Sequence, residues 1–148
     1  RRNAEIERHL QPIAGAVDAV RALHRLLGGR IACASGADRF KVEMQLRQVG
    51  LAECFGGHVF SGHEMPATKP APDVYLAAAA ALSVPPERCL VVEDTVTGVT
   101  AGVAAGATVW GYAPGGAGHG SAEALRAAGA SAIFADMALL PHLCGQVG

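Results

Sequence analysis

Arg88-Cys89-Leu90-Val91-Val92-Glu93-Asp94-Thr95 is the stretch that decides the fold. The run from Cys89 to Val92 is apolar and stops abruptly at two acids. Its β-branched valines favour a strand, and the lack of polar alternation suits a strand covered on both faces. Thr95 to Ala105 then reads as a helix of small residues, stopped by Gly106, and Ala107-Thr108-Val109-Trp110 reads as the next strand. Strand, helix, strand in this order is the crossover unit of a parallel sheet.

The same rhythm extends in both directions. Upstream, Gly15 to Leu27 is helical, with Val17, Val20, Leu23 and Leu27 on one face, and Gly28-Gly29 ends it. Arg30-Ile31-Ala32-Cys33-Ala34 is a short strand closed by Ser35-Gly36. Ala37 to Val49 is helical with Val42, Leu46 and Val49 inward, His58-Val59-Phe60 is a weaker strand, and Pro72 to Leu82 is a helix with proline in its first turn. Downstream, Ser121 to Ala128 is a helix, Ala132-Ile133-Phe134 a strand, and Met137 to Leu143 a short helix with Asp136 as its N-cap. The expected fold class is α/β: a Rossmann-like parallel sheet with helices on both faces, over residues 15–148. Residues 1–14 are polar and Arg-rich, broken by Leu10-Gln11-Pro12-Ile13, and read as the tail of a preceding element.

Composition narrows the function classes. The chain has 148 residues, 51% hydrophobic and 17% charged, which suits one domain with one core. Twelve basic and 13 acidic side chains leave a net charge of −1, so no electrostatic case exists for nucleic acid or an anionic membrane. No apolar run is long enough to span a bilayer, and the first residues lack the apolar stretch of a signal peptide. Cys33, Cys54, Cys89 and Cys144 are far apart and form no C-x-x-C, and Cys33 and Cys89 read as buried, inert thiols. A reducing cytoplasm is the expected location. The six histidines show no H-x-x-x-H or H-E-x-x-H spacing, which argues against a zinc site. The glycine-dense run from Gly115 to Gly120 does not fit G-x-G-x-x-G and reads as a loop.

Ligands of open α/β sheets bind at the carboxyl ends of the strands, so the residues after each strand carry the interest. Glu93-Asp94 has two readings. Asp94 or Thr95 caps the next helix while Glu93 is solvated, or both carboxylates hold Mg²⁺ shared with a substrate phosphate. Lys69, in Lys69-Pro70-Ala71-Pro72-Asp73, is one of two lysines; it is either a surface lysine near a helix start or a compact cation beside a phosphate. Lys41, the other, reads as a solvated helix face. Ser35-Gly36 is either an ordinary N-cap or a hydroxyl and free amides for an anion. A serine, a lysine and an acidic pair at successive strand ends of one sheet favour the functional reading of all three.

That ordered set resembles the haloacid dehalogenase (HAD) superfamily, specifically its capped phosphatases and phosphomutases. Ile31-Ala32-Cys33-Ala34-Ser35-Gly36 resembles the second family motif, Lys69 to Tyr75 the third, and Val91-Val92-Glu93-Asp94-Thr95-Val96-Thr97-Gly98 the fourth. The likeness runs from about Ile13 to Leu143, with Pro12 to Ala16 similar to the segment re-entering the core from the cap. It implies Mg²⁺ held by Asp94 and Glu93, with Ser35, Gly36 and Lys69 on the phosphoryl group and Lys69 and Ser35 catalytic. It also implies hydrolysis of a small phosphomonoester of sugar-phosphate type through an aspartyl-phosphate. The expected partner is a small phosphorylated metabolite, with no nucleic acid and no membrane. The alternatives are a phosphomutase of the β-phosphoglucomutase kind and a non-catalytic HAD-like α/β domain. A metal-free dehalogenase would leave the Glu93-Asp94 pair without a role.

The family's first motif, Asp-x-Asp, is not found. The five aspartates are Asp18, Asp38, Asp73, Asp94 and Asp136, and no two are spaced that way. The resemblance therefore implies that the first strand, its nucleophile and most of the cap lie outside the chain. The first strand would pair between the Ile31 and Leu90 strands. The 148 residues alone are expected to be inactive, and either marginal in stability or in need of a partner for the gap.

Overall fold

A computed structural model of the chain describes residues 15–115 and 120–147. The expectation for residues 1–14 lies outside the described residues. The elements are α1 (Ala16–Leu26), β1 (Cys33–Ser35), α2 (Arg39–Gln48), α3 (Ala52–Phe55), β2 (Val59–Ser61), α4 (Asp73–Leu82), β3 (Leu90–Glu93), α5 (Val96–Ala105), β4 (Thr108–Tyr112), α6 (Ala122–Ala128), β5 (Ala132–Phe134) and α7 (Leu140–Val147). Short 3₁₀ turns cover Gly62–Glu64, Pro86–Arg88 and Met137–Leu139.

All strands run parallel, in two ladders. One is β1–β2, with Cys33 opposite Val59 and Ser35 opposite Ser61. The other is β3–β4–β5, with Val91 opposite Val109 and Trp110 opposite Ala132. Among the described residues no ladder joins β1 to β3.

The alternation of side chains along each strand builds one core per face. Val91 and Val109 point to one side and pack with Val99, Leu125 and Ala130, under α5 and α6. Trp110, Tyr112 and Phe134 point to the other side with Val92, Leu140 and Leu23, under α1 and α7. Tyr112 and Phe134 are stacked obliquely, with ring centres 5.4 Å apart. α4 packs against β1 and β2 and also against α5, so it links the two ladders from one face.

Several boundaries differ from the sequence reading. β1 is Cys33–Ser35 rather than Arg30–Ala34, because β2 is its only ladder partner among the described residues and offers three residues to pair with. Ser35 thus sits in the strand instead of the turn after it. β4 runs two residues beyond Trp110, which stays core as expected, at 9% exposure. The final helix is a 3₁₀ turn capped by Asp136, followed by α7. Cys33 and Cys89 are half-buried rather than fully enclosed, and burial is the main cause holding both thiols above the usual range.

Leu125 is fully buried at the centre of the α5–α6 core. Leu125→Ala is expected to lower unfolding free energy by about 2–5 kcal/mol, the range for a leucine cavity that closes only partly. Urea unfolding of the two proteins checks it; a change within experimental error would show that this core does not hold the fold.

Candidate active site

The chain ends of β1 and β3 face one hollow, and the residues that shape it can be built up strand by strand. At the end of β1, the Ser35 hydroxyl accepts the Ala37 N–H at 3.1 Å. The Ser61 hydroxyl, fully buried at the end of β2, donates to the Ala37 carbonyl at 2.6 Å and accepts the His63 N–H at 3.2 Å. A buried hydroxyl bonded on both sides fixes the segment from Ser35 to Ala37. Asp38 caps α2 through the Lys41 N–H, so α2 starts directly behind this segment, with Lys41 exposed as expected.

Lys69 lies within a turn closed by the Ala71 N–H on the Thr68 carbonyl, and its bond to Pro70 is cis. Its Nζ donates to the Ala34 carbonyl of β1 at 3.3 Å and to Glu93 Oε2 of β3 at 2.5 Å. The side chains of Lys69 and Glu93 are only 15% and 10% exposed. Nζ also lies 4.9 Å from the centre of the Tyr75 ring, within cation–π range. The Tyr75 hydroxyl donates to the same Oε2. Burial first, and the Glu93 charge second, push the Tyr75 phenol far above its usual range, so it stays a donor. The Lys69 charge partly offsets the burial that raises the Cys33 thiol.

Glu93 has room because α5 has no side chain at its third position. A Cβ on Gly98 would overlap the Glu93 carboxylate. Thr95 caps α5, its hydroxyl accepting the Gly98 N–H at 3.1 Å. Thr95 therefore takes the capping role open to it or Asp94, and Glu93 is buried rather than solvated. The Asp94 carbonyl accepts the Gly120 N–H at 2.8 Å, which ties the segment after β4 to the site.

The hollow measures about 310 Å³ and is lined by Ser35, Gly36, Lys69, Glu93 and Asp94, together with Ala34, Val92, Tyr112 and Met137. All five residues singled out in the sequence stand around it. Tyr75, Gly98 and Ser61 were not singled out. Tyr75 and Gly98 fall within the stretches that resemble the third and fourth motifs, and only the fold shows what they face. Tyr112 came from a strand that the sequence reading ended too early. A second hollow of about 160 Å³ lies beside β2. Its Arg39 is committed to Glu64, Glu43 and the Val59 carbonyl, and the same Arg39 holds the Glu64 carboxyl below its usual range.

Among the described residues no group of three or more His, Cys, Asp or Glu could hold a metal. Two carboxylates suit a hard cation that keeps water and shares a phosphate oxygen, as Mg²⁺ does, better than a closed zinc site.

The ion pair itself is testable. Lys69→Met leaves a buried carboxylate with one neutral donor and is expected to cost about 3–5 kcal/mol, with Lys69→Met/Glu93→Gln recovering most of it. Urea unfolding of wild type, both single variants and the double variant closes the cycle; additive losses would mean that the two groups do not interact.

The chain is similar in sequence and in fold to known proteins. A family model described as haloacid dehalogenase-like hydrolase matches residues 1–106. The chain is 43% identical over 83 residues to the bifunctional riboflavin kinase/FMN phosphatase of Arabidopsis thaliana, covering 55% of this chain and 22% of that protein. It is 27% identical over 107 residues to the 6-phosphogluconate phosphatase of Escherichia coli, covering 72% and 48%. A HAD family hydrolase from Deinococcus radiodurans, solved with bound phosphate and sodium, superposes with a TM-score of 0.79 at 38% identity, covering 92% of this chain and 60% of that one. The chain thus spans about half or less of these curated relatives. No helix among the described residues is long and apolar enough to cross a membrane. With a family model over more than half its length, and a matching α/β architecture, the chain belongs to the haloacid dehalogenase-like hydrolases.

Proposed function

We propose that this chain carries the phosphate-binding and cation-binding part of a phosphomonoester hydrolase acting on a small, sugar-phosphate-type metabolite. The observation that carries the proposal is the Lys69 ammonium. It is held between the Ala34 carbonyl and Glu93, at the carboxyl ends of β1 and β3, beside Ser35 and Asp94. A cation in a half-buried hollow, flanked by a hydroxyl and an exposed amide segment, favours a dianionic group. The name of the Escherichia coli relative and the phosphate in the Deinococcus structure agree with that class of ligand.

In the proposed reaction Ser35 and the Gly36 amide donate to phosphoryl oxygens, and Lys69 balances charge that builds on them. Asp94 and Glu93 would hold Mg²⁺. Bound there, Mg²⁺ would supply positive charge against the phosphate oxygens. An aspartate oxygen attacks phosphorus in line, the ester P–O bond breaks, and the departing alcohol oxygen takes a proton from the second acid of the Asp-x-Asp pair, which regains it from the attacking water in the step that follows. Water then attacks phosphorus, releasing orthophosphate and restoring the carboxylate. The sequence has no Asp-x-Asp pair, so that aspartate is proposed to come from outside these 148 residues.

In the enzyme complete with that motif, Asp94→Ala is expected to reduce Mg²⁺-dependent hydrolysis of p-nitrophenyl phosphate by about 100-fold or more. The 148 residues alone should give no turnover. Undiminished turnover by Asp94→Ala would remove Asp94 from the site, and transfer of phosphate to a second sugar hydroxyl instead of water would mark a mutase.

A further inference from the structure

We infer that Tyr75 is a positioning residue of this site, with two separable tasks: its hydroxyl fixes the Glu93 carboxylate and its ring seats the Lys69 ammonium. The inference rests on the site proposed above and adds to it a residue outside the five that line the hollow as candidate ligands.

Tyr75 occupies the first turn of α4, where its N–H bonds the Pro72 carbonyl at 3.0 Å. Its ring is partly buried and packs against the cluster of Val91, Val99 and Leu125. That cluster holds the ring in place independently of any ligand. The hydroxyl reaches Glu93 Oε2, and the face lies under Lys69 Nζ. Glu93 Oε2 therefore receives two donors from different elements, one ionic and one neutral. The neutral donor adds direction without cancelling more charge. Lys69 already balances the Glu93 charge, and the carboxylate's rotation is blocked, on one side by two hydrogen bonds and on the other by the Gly98 backbone. Lys69 is a flexible chain ending in a point charge. Two of its three N–H donors are used by Ala34 and Glu93, and the tyrosine face closes the side beneath it. What remains of its hydrogen-bonding capacity serves the hollow.

The test uses the enzyme complete with its Asp-x-Asp motif and compares Tyr75→Phe, Tyr75→Leu and Asp94→Ala. The measurements are Mn²⁺ binding followed by the electron paramagnetic resonance signal of free Mn²⁺, inhibition by orthophosphate, kcat, and thermal midpoint. Tyr75→Phe removes the hydroxyl and keeps the ring. It is expected to weaken Mn²⁺ binding at least fivefold and lower kcat about tenfold, with orthophosphate inhibition within twofold of wild type. Tyr75→Leu removes both and is expected to weaken orthophosphate inhibition at least fivefold as well. A lowered midpoint with unchanged Mn²⁺ and orthophosphate constants would reduce Tyr75 to packing and overturn the inference. Equal effects of Tyr75→Phe on both constants would overturn the division of tasks. If Tyr75→Leu does not fold, Tyr75→Phe still decides the role of the hydroxyl. Unchanged constants in Tyr75→Phe with Mn²⁺ binding lost in Asp94→Ala would refute the role of Tyr75 alone. Unchanged Mn²⁺ binding in Asp94→Ala would refute the site beneath it.

Discussion

The buried ion pair between Lys69 and Glu93 is the interaction on which the site depends. It connects the end of β1, through the Ala34 carbonyl, to the end of β3, across a line where no ladder joins the two sheets among the described residues. Burying two charges is costly unless each is fully hydrogen-bonded. Here the surroundings meet that demand from three directions: the Ala34 carbonyl takes one ammonium proton, the Tyr75 hydroxyl adds a second donor to the carboxylate, and Gly98 leaves space for it. A fold that needed only stability could fill this place with apolar side chains of similar volume. Retaining a charged pair here is consistent with a site that must handle charge.

The sheet explains why the groups converge. Parallel strands present all their carboxyl ends at one edge, so short polar segments that are distant in sequence become neighbours there. Side-chain alternation then decides which acid does what. Val91 and Glu93 share a face, which turns Glu93 inward toward Lys69, Tyr75 and α5. Asp94 follows the strand and lines the open hollow, with its carbonyl fixed by Gly120. Two adjacent carboxylates thus have different surroundings, one nearly enclosed and one half-exposed.

Much of this was legible in the residues. The apolar run from Cys89 to Val92 ending in two acids gave both the parallel sheet and the acidic pair. Ser35, Gly36 and Lys69 stood out because they occupy strand ends, and the structure brings all of them to one hollow. The pairing itself was not legible. Nothing in the spacing of Lys69 and Glu93 says that they touch, since the contact depends on how α4 bridges the two ladders. Tyr75 and Gly98 close the stretches that resemble the third and fourth motifs, yet nothing in their spacing says that one reaches Glu93 and the other makes room for it. Ser61 lay beyond the expected end of its strand. The start of β1 is hidden for a related reason: strand length is set by the partner, and three residues of β2 pair with it.

Ser35, Gly36, Glu93 and Asp94 are proposed to surround one place for a cation and a phosphate. Paramagnetic broadening by substoichiometric Mn²⁺, with orthophosphate added to isotopically labelled protein, reports on that shared place. The amide signals of Ser35, Gly36, Asp94 and Thr95 should disappear together, while those of Ala130 and Ser131, at the opposite strand ends, should persist. Broadening centred on Glu43 and Glu64, with the Asp94 and Gly36 signals intact, would contradict it.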